Sequence, residues 1–226
     1  MATSKVDIYS RAVKAFDDPR ITSAFESNPI EWMEIMSGYL DMAIPLFITP
    51  TMMIPILNDI TSSSEQTELF DGTGATDTFI LTTIPPTDSY FQGTISNINY
   101  DLTYTQITNS VTFLFNPPIG TDNVATTWYF AGQFNQTLTD RQQNILAKLL
   151  VQCWAEKERN FMLDIRRLLN DNDFKMGVEA TNVNAKSNWF ASTREYCDNE
   201  MNKYSWDVYN ETLRTQYGLP PLGGIL

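Results

Sequence analysis

Apolar residues fall at helical spacing at both ends of the chain and at strand spacing in the middle. Val6, Tyr9, Val13 and Phe16 form one stripe, which predicts a first helix ending near Asp17-Asp18-Pro19. Asn28-Pro29-Ile30-Glu31 then reads as a helix start, with Asn as N-cap, Pro in the first turn and Glu at the capping-box position. The helix it opens carries Trp32, Ile35, Met36, Tyr39, Leu40 and Ala43 on one face, and Pro45 ends or kinks it. Residues 47–57 are rich in Met, Pro and aliphatics and read as a connection covering the core. Their Met52, Met53, Ile54 and Ile56 also qualify as a contact surface for a neighbour.

After Ser62-Ser63-Ser64, which marks a linker, the period changes to that of strands. Asp71-Gly72-Thr73-Gly74 is a turn and Phe79-Ile80-Leu81 a strand. Phe91, Gly93, Ile95 and Asn97 alternate over 91–98. Val111-Thr112-Phe113-Leu114-Phe115 and 124–130 are further strands, the latter with Trp128 and Phe130 on one face, and a Pro117-Pro118 turn lies between them. Four or five strands in about 65 residues predict a small antiparallel sandwich or barrel.

The helical period returns at Thr139-Asp140-Arg141-Gln142, a second capping box. It opens a long helix with Leu146, Leu150, Trp154, Phe161, Ile165 and Leu168 on its stripe, interrupted at Lys157 and Glu158. Asn170-Asp171-Asn172-Asp173 stops it. A last helix from about Asn182 places Val183, Phe190, Cys197 and Tyr204 seven residues apart, with Lys186, Arg194 and Met201 on alternate turns. This pattern suits an antiparallel helical hairpin better than an oligomer seam. The segment from Tyr217 onward is too rich in Pro and Gly to be helical.

The expected fold class is therefore α+β: a mostly α-helical domain with an inserted small antiparallel β-sandwich or barrel module. Residues 1–66 form an N-terminal helical segment and 67–134 the β module. Residues 135–210 form C-terminal helices that pack with the N-terminal ones, and 211–226 form an extended arm. In that arm Leu219, Pro220, Leu222, Ile225 and Leu226 are partner-contact candidates, as Met52, Met53 and Ile54 are earlier in the chain.

Composition narrows function mostly by exclusion. The 226 residues include 15 basic and 27 acidic side chains and no histidine, for a net charge of −12. That sign opposes phosphate neutralisation, so nucleic-acid binding is not expected. It is compatible with an acidic surface along which DNA passes without sticking. No apolar run reaches membrane-span length, and the first residues lack the apolar stretch of a secretory signal. Cys153 and Cys197 sit on the two C-terminal helices. A disulfide and two buried free thiols both fit, and a reducing cytosol favours the thiols.

Asp171 and Asp173 resemble the opening of a calcium loop, but Met176 stands where that loop needs glycine. Asp71-Gly-Thr-Gly74 lacks the Lys-Ser/Thr of a phosphate loop, and Glu31 with Glu34 is an ordinary solvated pair. Cys153 beside Trp154 reads as core. No catalytic residue, cofactor site or metal site is assigned, and an enzyme is not expected.

The segment Phe70-Asp-Gly-Thr-Gly, with Thr78-Phe-Ile-Leu-Thr82, Pro85-Pro86, Val111-Thr-Phe-Leu-Phe115 and Pro117-Pro118-Ile-Gly-Thr-Asp122, resembles a β module found in phage structural proteins. Residues 145–154, with Asp173-Phe-Lys-Met176, Asn182-Val-Asn-Ala-Lys186 and Lys203-Tyr-Ser-Trp206, are similar to tailed-phage neck and tail-junction proteins. So is Gly38-Tyr-Leu-Asp-Met-Ala-Ile44, although shorter members lack so large an insertion. The resemblance implies a non-enzymatic head–tail connector or neck ring protein without cofactors. It would be a homo-oligomeric ring, a dodecamer, contacting portal and tail or collar proteins. It would assemble in the host cytoplasm and reside in the virion, with DNA passing through unbound and no membrane involved. The rival readings are a tail or baseplate adaptor and a soluble ligand-binding module whose Tyr90, Tyr100 and Tyr104 would face a sugar.

Overall fold

The computed structural model describes residues 2–16, 21, 23–24, 27–47, 60–170 and 177–220, without the side chains of 162–170 and 177–183. The chain is mixed α and β, with every sheet pairing between its longer strands antiparallel. It divides into two units: Met1–Ile60 with Phe134–Leu226, and Thr61–Gln133.

In the first unit, β1 (Thr3–Ser4) leads into α1 (Lys5–Ala15), capped by Ser4, whose Oγ accepts from the Val6 N–H. The buried face of α1 is Lys5, Ile8, Tyr9, Ala12 and Phe16, while Val6 and Val13 are only half-buried. The core face is thus rotated from the expected stripe, because Ile8 and Ala12 displace Val6 and Val13 from its centre. α2 (Pro29–Ala43) starts at the expected cap: Asn28 Oδ1 accepts from the Glu31 N–H at 3.4 Å, and its Nδ2 donates to Glu31 Oε2 at 2.8 Å. Trp32, Met36, Tyr39, Leu40 and Ala43 are buried, but Ile35 faces outward, and Met33 takes its place in the core. Pro45 sits in a 3-10 turn, Ile44–Leu46, that ends the segment. Met52, Met53, Ile54 and Ile56 lie outside the described residues.

The second capping box is reciprocal: Gln142 N–H donates to Thr139 Oγ1, and Thr139 N–H donates to Gln142 Oε1 at 2.7 Å. It opens α3 (Asp140–Asn170), whose first half is buried nearly all round by Ile145, Leu146, Leu149, Leu150, Val151 and Cys153. α3 is wrapped by α1, α2 and α4 (Gly177–Gln216). α4 begins before the expected Asn182. It buries Phe190, Cys197 and Tyr204 against α3, the seven-residue seam read from sequence. Arg141 pairs with Asp207, Gln142 with Tyr204, Trp154 with Trp189 and Glu158 with Lys186, so numbers rise on one helix as they fall on the other. The two helices are an antiparallel hairpin. Phe161 is exposed and so leaves the expected α3 stripe, and the side chains of Ile165 and Leu168 lie outside the described residues.

The second unit holds two small sheets. One has the order β3 (Ser64–Gly72), β9 (Gly120–Phe130), β5 (Tyr90–Ile95), β6 (Ile98–Tyr100). The other runs β4 (Thr78–Ile80), β8 (Ser110–Phe113), β7 (Leu102–Thr105). Phe79, Leu81, Ile95, Val111, Phe113, Val124, Trp128 and Phe130, from both sheets, make one apolar cluster. There are more strands than the four or five expected. The alternation over 91–98 crosses a turn: Ser96 and Asn97 both have positive φ and form a two-residue hairpin loop, so Asn97 is not in a strand. Gly72 is required by close approach, since a Cβ there would lie 2.0 Å from the Pro118 carbonyl oxygen. The chain enters at β2 (Ile60–Thr61) and leaves at β10 (Gln133–Phe134). β2 and β10 pair side by side, with β1 on the other edge of β10.

Candidate functional site

In the first unit, Phe16 at the end of α1 meets Trp154 of α3 edge-on at 5.0 Å between centroids. Trp154 in turn meets Trp189 of α4 edge-on at 5.8 Å. These rings line a cavity of about 250 Å³ together with buried Ala155, exposed Ala185 and the Lys186–Glu158 ion pair (2.9 Å). The slot exists because two alanines on facing helices leave room that larger residues would fill. Trp154 and Trp189 are only half-buried, so their ring faces remain partly open.

A different surface lies at the far end of the hairpin. Tyr204 is the last fully buried residue of α4; its hydroxyl accepts from Gln142 Nε2 at 2.8 Å, and burial raises its pKa. α4 then runs on past the start of α3 to Gln216 and carries Trp206 and Tyr209 outward, followed by Tyr217. It ends in a full Schellman cap. Gly218 has φ +64, its N–H reaches the Thr215 carbonyl, and the Leu219 N–H reaches the Arg214 carbonyl at 2.8 Å. Arg214 Nε donates to the Pro220 carbonyl at 2.7 Å, so the first residues after the helix are held in a set direction, with Leu219 53% exposed. Leu219 and Pro220 are therefore surface residues. Leu222, Ile225 and Leu226 lie outside the described residues.

In the β unit, loop 81–86 is fastened from two sides. The buried Glu68 carboxylate accepts from the Thr82 and Thr83 N–H groups at 2.8 and 3.1 Å. Asn109, at φ 47, donates from Nδ2 to the Leu81 and Thr83 carbonyls and accepts from the Tyr104 hydroxyl at 3.0 Å. The result is a rigid end that displays Ile80, Ile84 and Ile107 at 70%, 74% and 96% exposure. No sequence signal marks these isoleucines as exposed: Ile80 lies inside the expected strand 79–81, and Ile84 and Ile107 sit in loops. Of the three tyrosines expected at a sugar site, Tyr104 stacks on Phe91 at 4.3 Å and Tyr100 meets Phe115 edge-on, and all three are half-buried.

Cys153 and Cys197 are free and buried on facing helices. Burial, then the charge of Glu156, pushes Cys153 up to about 11, and burial, then Asp198, pushes Cys197 up to about 12. Both stay protonated thiols at neutral pH, the unreactive form. Among the described residues no three His, Cys, Asp or Glu side chains are grouped to hold a metal, and no helix is long and apolar enough to cross a membrane. No family model, curated protein or solved structure matches the chain.

Proposed function

We propose that the chain is a non-enzymatic structural subunit of a tailed-phage virion that assembles as a ring joining portal to tail. The observation that carries this reading is the placement of its exposed apolar side chains. Trp206, Tyr209, Tyr217 and Leu219 are exposed along the last turns and cap of α4, and Ile80, Ile84 and Ile107 on a loop system fixed by Glu68 and Asn109. Large apolar residues gathered on rigid supports are what partner proteins cover. The helical unit would form the ring wall, as a dodecamer, and the β module would meet the neighbouring ring or collar. The net charge of −12 lets DNA pass through the channel without specific binding.

Antibodies against the chain, imaged on virions of the encoding phage, test this reading. Label confined to the head–tail junction is expected. Label at the distal tail tip would instead establish the adaptor reading, and virions without label would refute both.

A further inference from the structure

The aromatic slot and the apolar segment after α4 match in chemistry but lie too far apart to meet within one molecule. Trp189 and Gln216 are separated by about 40 Å of α4 at 1.5 Å rise per residue. Residues 221–226 span about 20 Å even when fully extended, and the Schellman cap fixes the chain up to Pro220 at the far end of the hairpin. The segment Leu219-Pro220-Pro221-Leu222 has the character of an extended proline-rich ligand, with φ already set by its prolines. Tryptophan-walled slots take such ligands, because proline rings lie flat on indole faces and little entropy is lost on docking. The segment is also uncharged, which suits a slot whose lining charges, Lys186 and Glu158, already satisfy each other.

We infer that residues 219–222 of one copy dock in the Phe16–Trp154–Trp189 slot of a second copy. The contact is head-to-tail: each copy offers a segment at one end of its hairpin and a slot nearer the other, so the same contact repeats from copy to copy and closes into a ring when the rotation allows. The inference rests on the ring reading and supplies the contact that would build the ring. It also accounts for two otherwise idle features, a proline-rich segment aimed by Arg214 and a slot left open by Ala155 and Ala185.

The test uses the full chain and a synthetic peptide of residues 217–224, which contains no tryptophan, so indole fluorescence reports on the chain alone. Titration into dilute chain should give a saturable change, and Ala185→Arg, at an exposed helix position that folding tolerates, should weaken it tenfold or more. Pro220→Ala with Leu219→Ser in the peptide should do the same. In addition, a chain carrying Ala185→Arg, mixed with one carrying Leu219→Ser and Pro220→Ala, should form a one-to-one complex and nothing larger. An absent fluorescence change overturns the inference, and so does a change indifferent to Ala185→Arg. Rings that form equally well from both variants would refute this contact and leave the ring reading standing. Specific peptide binding by a chain that never assembles, even with portal protein, would sustain the slot and refute the ring.

Discussion

Glu68 is a carboxylate that folding has largely removed from water, and two backbone N–H groups replace its hydration. Glu68→Ala leaves those donors without their acceptor, and denaturant unfolding should show a loss of about 1–3 kcal/mol. Amide exchange at Thr82 and Thr83 should rise in the same variant, since the loop that displays Ile84 loses one of its two fastenings. The buried thiols make a second prediction at this scale. Their ordinary value is 9.0, and in the fold they sit near 11 and 12. From pH 9 upward the unfolded chain releases these protons while the native chain keeps them, so stability falls as pH rises toward 12. Melting temperatures should decline over that window, and less steeply for the Cys153→Ala/Cys197→Ala variant. A slope unchanged by the two substitutions would assign the alkaline loss to other groups, Tyr204 among them.

Elements were legible in the sequence where their signals are local. Both capping boxes rest on residues within one turn of each other, and Asn28 and Thr139 stand at the helix starts they predict. The Phe190, Cys197, Tyr204 seam was readable because a heptad needs only one helix and one partner. Elements whose decisive neighbour lies elsewhere in the chain carry no such local signal. β7 has no signal of its own, because Leu102 and Tyr104 alternate with threonines, a pattern that becomes a strand only beside β8. The Ser96-Asn97 loop was hidden because a two-residue turn keeps the period of the strands it joins. The slot has no local signal: Phe16 and Trp154 read as stripe positions of separate helices, Trp189 falls on no expected stripe, and only the fold brings the three rings together. At this scale the Schellman cap gives a test. Gly218→Ala forces a side chain into left-handed backbone at a cost of about 1 kcal/mol. Hydrogen exchange should then show fraying confined to the last turns of α4, with Phe190 and Cys197 unaffected.

At the scale of the molecule, the chain leaves and rejoins the helical unit through two strands that pair with each other, β2 and β10. A Cβ at Gly132 would come within 2.6 Å of the Thr61 carbonyl oxygen, so the entry and exit of the β unit run in direct contact. Replacing residues 63–131 by a two-residue turn should therefore leave a helical unit that unfolds cooperatively. Circular dichroism and urea melts would check this, and a molten helical remnant would show that the units depend on each other. On the proposed reading, the exposed apolar end of α4 and the slot serve one role, contact between copies of the subunit. Native mass spectrometry of the purified full chain, alone and with portal protein, tests that claim most directly. A closed oligomer of one defined stoichiometry is the expected result. A monomer that persists at high concentration and ignores portal protein would contradict it.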